Sequence, residues 1–266
     1  MMHDYERELR FATSAAREAG GVLLARRRAG FSVREKADRT LLTDADLASE
    51  RVLLDRLHAE FPEDAVLSEE AGDFGLQSGR RWIIDPLDGT TNFAQGLPFF
   101  AVSVALWEGD EPRVGVVYLP VLNEEFAAQY SAPATLNNQP IRVSPVQAVS
   151  DAMVNIYFDR RNQLEAGLRL FTEVARACEG RVKVLGSTAS LLCYVACGRL
   201  DGYLRNRTRL WDFAAGCLIL EQAGGRVTDF DEQPLRRSGQ SLLASNGAIH
   251  DALQEVASGV GGDGCR

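Results

Sequence analysis

The sequence predicts an α+β fold on two observations. Between residues 82 and 130, four apolar runs (residues 82–84, 101–107, 114–119 and 126–130) follow one another without a helical pattern between them. Successive strands of this kind pair into an antiparallel sheet. From about residue 145 onward, strand-like and helical stretches alternate, which is the pattern of a sheet covered by helices. The chain therefore divides into an N-terminal α+β part, residues 1–145, and a C-terminal α/β part, residues 146–266.

Each element has its own signal. Leu9, Ala12, Ala16, Ala19 and Leu23 recur at helical spacing, and Arg26, Arg27 and Arg28 suit the C-terminal end of that helix, where positive charge meets the dipole. A second helical pattern carries Leu47, Val52, Leu53 and Leu57. Residues 65–67, after Phe61-Pro62, form a short apolar run that delivers Ser68-Glu69-Glu70 to a strand end. Beyond the four central strands, Asn137-Asn138 marks a turn before residues 140–143. Strands are then expected over residues 153–158, 182–185, 202–204, 226–230 and 241–244, and helices over 164–177, 187–196 and 212–223. The final SGVGGDGCR reads as a frayed end.

Composition excludes several functions. With 29 basic against 37 acidic residues, the net charge of -8 is opposite to the basic footprint of a general nucleic-acid binder. Cys178, Cys193, Cys197, Cys217 and Cys265 are odd in number, and the first four lie in apolar helical contexts, as reduced core thiols of a cytoplasmic protein do. Cys193 and Cys197 are four apart but no second pair follows to complete a thiolate metal site. His3, His58 and His250 fall outside every motif, which argues against a histidine-based triad. The N-terminus MMHDYERELR is charged and lacks the apolar core of a signal peptide, and no apolar run approaches a membrane span.

Residues 82–93, WIIDPLDGTTNF, carry the chemistry. The apolar Trp82, Ile83 and Ile84 form a buried strand that ends at Asp85, where Pro86 blocks further ladder pairing. Asp88 falls close enough to Asp85 to share hard cations, and carbonyls between them add oxygen ligands. Gly89 lets the backbone approach an anion, and Thr90 adds a hydroxyl and an N–H to a phosphate nest. The same residues also compose an ordinary Asp-Pro-Gly turn. Further acids stand at Glu69-Glu70, at Asp44 and Asp46 in TDAD, downstream of Lys36-Ala37-Asp38, and at Asp212, which opens an apolar helix. Each has a structural alternative: Thr43 with Asp46 forms a helix cap, Asp212 likewise, and Glu69-Glu70 a solvated loop.

Taken together, KADRTLLTDAD, LSEEAG, WIIDPLDGTTNF and WDFAAG, with GSTAS at residues 186–190 and EQAGG at 221–225, resemble the inositol monophosphatase family over about residues 5–250. That resemblance implies a layered α/β/α/β/α sandwich of the inositol monophosphatase or sugar phosphatase type, with the site between the two parts. It implies hydrolysis of a small polyol or sugar phosphate monoester by metal-activated water, with no phosphoenzyme. Five gathered carboxylates (Asp46, Glu69, Asp85, Asp88 and Asp212) would repel one another without cations, and oxygen-only donors beside a phosphate favour Mg2+. By resemblance, Glu69, Asp85 and the Leu87 carbonyl bind one ion, and Asp85, Asp88 and Asp212 a second. A third, weaker ion leans on Glu69 and waters. Thr90 and Asp46 orient or deprotonate the attacking water, Lys36 sits beside the metal and water cluster, and the Gly89 and Thr90 N–H groups hold phosphate oxygens. Gly186, Ser187 and Thr188 either meet substrate hydroxyls or form the capped start of a helix. Asp88 and Asp212 touch both metal and polyol.

The resemblance further implies Li+ sensitivity and a homodimer. It leaves fructose 1,6-bisphosphate, histidinol phosphate and 3'-phosphoadenosine 5'-phosphate as alternative substrates, although DGTTNF favours the inositol-phosphatase branch over the nucleotide branch. A non-catalytic role as a partner of the transcription machinery is the alternative class. Two departures stand out. Arg205 lies seven residues before Asp212, where inositol-phosphate enzymes of the family carry glutamate. A guanidinium cannot accept hydrogen bonds from inositol hydroxyls but pairs with a second phosphate or a carboxylate, so a doubly anionic ester is the expected preference. The segment after Tyr130, SAPATLNNQPI, is shorter than the Gly-rich stretch before L-N-G in relatives, so a dimer or substrate-rim loop differs there.

Overall fold

The computed structural model describes residues 5–37, 39–75, 79–158, 164–235 and 238–261, with residues 260 and 261 described by their backbone alone. Helices α1 (Glu6–Ala29) and α2 (Asp44–Glu60) are joined by a short hairpin of β1 (Val33–Glu35) and β2 (Leu41–Thr43). There follow β3 (Ala65–Ser68), β4 (Gly72–Phe74), β5 (Arg80–Asp88), a short helix α3 (Thr90–Ala94), β6 (Ala101–Glu108), β7 (Glu111–Leu119), β8 (Glu124–Gln129), β9 (Thr135–Leu136) and β10 (Gln139–Pro140). Among the described residues, β3 to β10 form one sheet in the order β10-β9-β8-β7-β6-β5-β3-β4. Its neighbours are antiparallel except β3 and β5, which run parallel.

The second half contributes β11 (Val154–Tyr157), α4 (Leu164–Ala177), β12 (Val182–Lys183), α5 (Thr188–Ala196), β13 (Gly202–Arg205), α6 (Leu210–Gln222), β14 (Arg226–Thr228), β15 (Leu242–Ser245) and α7 (His250–Gly261). Its sheet, in the order β12-β11-β13-β15-β14, is parallel around β11 and antiparallel around β15.

Strand alternation sorts the core into layers. Ile84, Val102, Val104 and Val116 of the large sheet pack with Phe11 and Leu23 of α1 and Leu53 and Leu57 of α2. Phe11, Phe61 and Trp82 close that layer with ring centroids 4.9 to 5.2 Å apart. The opposite face, with Ile83, Ala105, Val117 and Phe126, meets Leu191 and Leu192 of α5 and Phe213 and Leu218 of α6, and the same cluster reaches Tyr203 and Leu242 of the small sheet. Val154, Ile156, Leu204 and Leu243 turn the other way, onto Leu170 and Val174 of α4 and Leu253 and Ala257 of α7. The order is the layered α/β/α/β/α sandwich expected. Helices α5 and α6 lie between two sheets, which is why their sequences are apolar nearly all round. A Cβ on Gly115 would meet the Ala215 carbonyl oxygen at 2.6 Å, so glycine there sets the approach of β7 to α6.

Departures from the expected elements have local causes. The strand expected over 182–185 stops at Lys183 because the Asn155 side chain takes the Leu185 N–H at 2.9 Å and donates to its carbonyl at 3.2 Å. The run expected over 226–230 stops at Thr228, since Asp229 Oδ1 accepts the Asp231 and Gln233 N–H groups and turns the chain. Of residues 140–143, Pro140 alone belongs to a strand. The hairpin β1-β2 and strand β4 are too short and polar to show a period. Residues 258–261 of the expected frayed end continue α7, while 262–266, with Cys265, lie outside the described residues. Cys178, Cys193, Cys197 and Cys217 are not joined in disulfides. Among the described residues, no helix is long and apolar enough to cross a membrane.

His250 is fully buried between the Thr228 hydroxyl at 3.0 Å and the Ser245 hydroxyl at 2.9 Å, and burial lowers its pKa to about 4. The unfolded chain binds this proton below an ordinary value near 6.5, so the stability from a neutral His250 is complete above that pH and lost as pH falls toward 4. Wild type is expected to lose up to about 3 kcal/mol more than His250→Gln across that window, at about 1.4 kcal/mol per pKa unit. Urea unfolding of both proteins at several pH values measures it, and parallel pH profiles would refute a neutral buried imidazole.

Candidate active site

Pro86 does not end β5, as the sequence predicted; it bulges it. The ladder with β6 pairs Asp85 with Ser103, lapses, and resumes with Asp88 opposite Ala101. Three residues of β5 thus match two of β6, one more than a regular ladder holds. In a regular strand, residues three apart face opposite sides. The extra residue turns Asp85 and Asp88 to the same side, and Pro86, which has no N–H to donate, is where the ladder can lapse most cheaply.

Asp212 meets them from the first turn of α6, which starts at Leu210, two residues earlier than predicted. Carboxylate oxygens of Asp85, Asp88 and Asp212 all lie within 4.8 Å of one another, and all three residues are buried. Glu69 follows β3, with its N–H on the Ile84 carbonyl at 3.3 Å. It is the strongest charged neighbour of Asp85. Lys36 Nζ bridges Glu69 at 3.2 Å and Glu70 at 2.5 Å. The Thr90 hydroxyl lies 3.2 Å from Asp46 Oδ1 and 3.1 Å from the Leu87 carbonyl, and Leu87 N–H donates to Asp85 Oδ1 at 3.0 Å. Gly89 adopts φ 96°, and a Cβ there would come within 3.2 Å of the Phe99 carbonyl oxygen and of Ser187.

Asp88 spans the cleft. It accepts the Ser187 hydroxyl at 2.8 Å and the Thr188 and Ala189 N–H groups at 3.2 and 2.7 Å, so a carboxylate on β5 caps α5. Gly186 lies beside Asn92 and Tyr157. Arg205 turns inward: its Nη1 donates to Asp212 Oδ2 at 2.7 Å and to the Thr188 hydroxyl, while the guanidinium sits 5.3 Å from the Tyr157 ring centroid. Asp212 Oδ2 also accepts the Arg209 N–H at 3.2 Å, and Asp46 Oδ2 accepts the Thr43 N–H at 2.9 Å. Both acids therefore cap their own helices as well as facing the cleft.

Two contributors were missed. On α2, the Ser49 hydroxyl donates to the Pro86 carbonyl at 2.8 Å, and Glu50 Oε1 accepts the Ala71 N–H at 2.9 Å and the Ser68 hydroxyl. Asp46, Ser49 and Glu50 stand at helical spacing on the buried face that Leu53 and Leu57 continue; the first two hold residues 86–90 and Glu50 holds the strand end at Ser68 and Ala71. Polar residues interrupting an apolar helical face were the available signal.

The electrostatics are those of an acid cluster short of positive charge. Burial, then Glu69, Asp88 and Asp212, push Asp85 well above the carboxylate range. Burial and then Asp212 raise Asp88 to about 6. Burial raises Glu69 to about 8 against the pull of Lys36, and raises Asp46 to about 6 against its bonds from Thr43. For Lys36, burial lowers the pKa but Glu69 and Glu70 outweigh it. Among the described residues no salt bridge reaches Asp85 or Asp88. Oxygen-only donors, buried and under-neutralised, fit a hard divalent cation.

Residues 4–260 match the inositol monophosphatase family. The chain belongs to that family. It is 38% identical over 257 residues to an inositol-1-monophosphatase from Synechocystis sp., covering 95% of this chain and 89% of the relative. It is 37% identical to a Nus factor SuhB from Xylella fastidiosa, with 93% and 94% covered, and 34% identical to a fructose-1,6-bisphosphatase/inositol-1-monophosphatase from Thermotoga maritima, with 95% and 96% covered. An inositol monophosphatase structure from Anabaena superposes with a TM-score of 0.86 at 36% identity, covering 97% of each chain. With membership come phosphatase activity on phosphate esters and metal dependence.

Carboxyls raised above their unfolded values near 4 penalise the ion-free fold at high pH, because the unfolded chain ionises them freely. As pH falls through about 8, the folded cluster, Glu69 included, takes up protons that the unfolded chain does not, and stability rises. The chelated protein is therefore expected to gain stability from pH 8.5 to 6.5, by at most about 1.4 kcal/mol per pH unit for each proton taken up. A saturating divalent cation should flatten the profile. Thermal melting with and without chelator checks this, and a flat chelated profile contradicts it.

Proposed function

We propose that this phosphatase hydrolyses a small polyol or sugar phosphate monoester with Mg2+ as its cofactor. The observation that carries the reading is the bulge that sets Asp85 and Asp88 on one face of β5, opposite Asp212. Glu69, Asp85 and the Leu87 carbonyl would hold one ion, and Asp85, Asp88 and Asp212 a second, with a third and weaker one leaning on Glu69. Bound there, the ions lower the pKa of water, clamp the attacking and leaving oxygens and offset phosphoryl charge.

The chain's own groups do the rest. Asp46, buried and tied to Thr90 at 3.2 Å, accepts a proton through that hydroxyl and orients the attacking water. A carboxyl with a pKa raised to about 6 is suited to that exchange near neutrality. Lys36 keeps Glu69 and Glu70 in place. The N–H groups of Gly89 and Thr90 hold phosphate oxygens. Gly186, Ser187, Thr188, Asp88 and Asp212 border the leaving-group side, where Arg205, engaged through Nη1, has Nε and Nη2 as donors for a second anionic group. We place the protein in the cytoplasm as a homodimer. The likeness to SuhB supports a second reading, in which the fold also serves as a partner of the transcription machinery.

A phosphate-release screen over inositol 1-phosphate, fructose 1,6-bisphosphate, histidinol phosphate and 3'-phosphoadenosine 5'-phosphate tests the main reading. Activity is expected to vanish in chelator, to return with Mg2+, to return incompletely with Ca2+, and to be inhibited by Li+. Asp85→Asn should lose several orders of magnitude, as expected when a shared ligand goes. Full turnover in chelator would sink the mechanism. A partner captured by inactive Asp88→Asn protein, with no ester hydrolysed by wild type, would instead favour the binding role.

Arg205 is expected to favour a doubly anionic ester, so fructose 1,6-bisphosphate should be used better than inositol 1-phosphate. The check is kcat/KM for both esters in wild type and Arg205→Glu. A ratio unchanged within about twofold, under roughly 0.5 kcal/mol, means that the Asp212 and Thr188 contacts are its whole role.

A further inference from the structure

Ser103 lies on β6 directly opposite Asp85, is 1% exposed, and its hydroxyl has no hydrogen-bond partner. Strand alternation tells which way it faces. Val102 and Val104 belong to the layer under α1 and α2, whereas Ala101 and Ala105 belong to the layer under α5 and α6. Ser103 is in phase with the alanines and so faces the acid cluster. On the other flank its ladder partner is Val117, which is apolar and lies in the same layer. Asp85 is thus the polar side chain across its own rung, and directly opposed residues bring their Cβ atoms to about 5 Å.

Asp85 is itself half satisfied. Its Oδ1 takes the Leu87 N–H, and among the described residues no donor reaches Oδ2. A buried hydroxyl without a partner therefore shares one rung of the ladder with a carboxylate oxygen that, among the described residues, no donor reaches. Orphaned buried polar groups are rare and costly, and serine has three staggered rotamers through which to find a partner. Carboxylates that hold metal ions are commonly steadied by a hydrogen bond from behind, which fixes the oxygen presented to the ion.

We infer that Ser103 is a positioning residue for Asp85, donating its hydroxyl to Oδ2 and fixing the carboxylate rotamer that receives a divalent cation. The inference rests on the metal-dependent reading of the site, and it concerns a residue outside every motif of that reading. In the ion-free fold the hydroxyl has no partner and Val117 on its other flank offers none, so removing it should cost the ion-free fold nothing.

Titration calorimetry with Mn2+ alone, on wild type, Ser103→Ala and Ser103→Thr, separates the outcomes, with thermal melting in chelator alongside. Ser103→Ala is expected to melt at or above the wild-type temperature in chelator yet bind Mn2+ about 10-fold more weakly, the size of effect typical of such outer contacts. Ser103→Thr, which keeps the hydroxyl, should recover most of the affinity. At saturating Mg2+ the kcat of Ser103→Ala should approach wild type, since the loss lies in ion binding. Unchanged Mn2+ affinity in Ser103→Ala overturns the inference, as does a lowered melting temperature in chelator with affinity retained, which marks a structural hydroxyl. If wild type binds no Mn2+, the metal reading of the whole site fails first.

Discussion

One extra residue in β5 is the constraint on which the site depends. Without the bulge at Pro86, Asp85 and Asp88 would face opposite layers, one toward α1 and α2 and the other toward α5 and α6. With it, both acids face the middle layer, where α6 adds Asp212 and α5 offers its N-terminus to Asp88. The gathering is electrostatically unfavourable on its own terms. Burial and mutual repulsion raise the carboxyl pKa values, and the cations at hand, Lys36 and Arg205, pair with Glu69, Glu70 and Asp212, with no salt bridge to Asp85 or Asp88 among the described residues. A fold that maintains such a cluster stores a demand for positive charge.

Helix N-termini answer part of that demand. Asp46, Asp88 and Asp212 each accept backbone N–H groups at the start of α2, α5 and α6 respectively. The positive end of a helix dipole stabilises an acid there. Capping and cleft-facing roles, which the sequence presents as alternatives, are filled by the same side chains: a carboxylate has about four acceptor positions, and a cap uses one or two of them. Helix α2 extends the principle, since Asp46, Ser49 and Glu50 tie down the Thr90 turn, the Pro86 carbonyl and the strand end bearing Glu69.

Arg205 shows how a cation is held within an acidic pocket. Its guanidinium, beside Asp212 and Asp88, binds Asp212 and the Thr188 hydroxyl and lies over Tyr157. Its charge is thereby spent partly within the pocket. Arg205 ends β13 and Asp212 lies in the first turn of α6, so the contact joins the small sheet to the middle helix layer.

Much of this protein is legible in one dimension. Helix α4 runs over the residues its periodicity marks, and the central strands 101–107 and 114–119 lie within β6 and β7, because burial on one face or two writes itself into spacing. The acids, the glycine and the threonine of the site stand in short motifs, because each strand end, turn or helix start carries its own polar residues. What spacing could not show is every contact made across the chain. Asp88 capping a helix a hundred residues away, Glu50 holding Ser68, Arg205 turning onto Asp212 and Ser103 facing Asp85 all depend on which layers are stacked and on a one-residue bulge in the ladder. The sequence by itself determined which chemical groups this protein brings to its site and which elements carry them. Tertiary structure decided which groups share a face and which partners they keep, because register and layer order are set by packing over the whole core, not by neighbours along the chain.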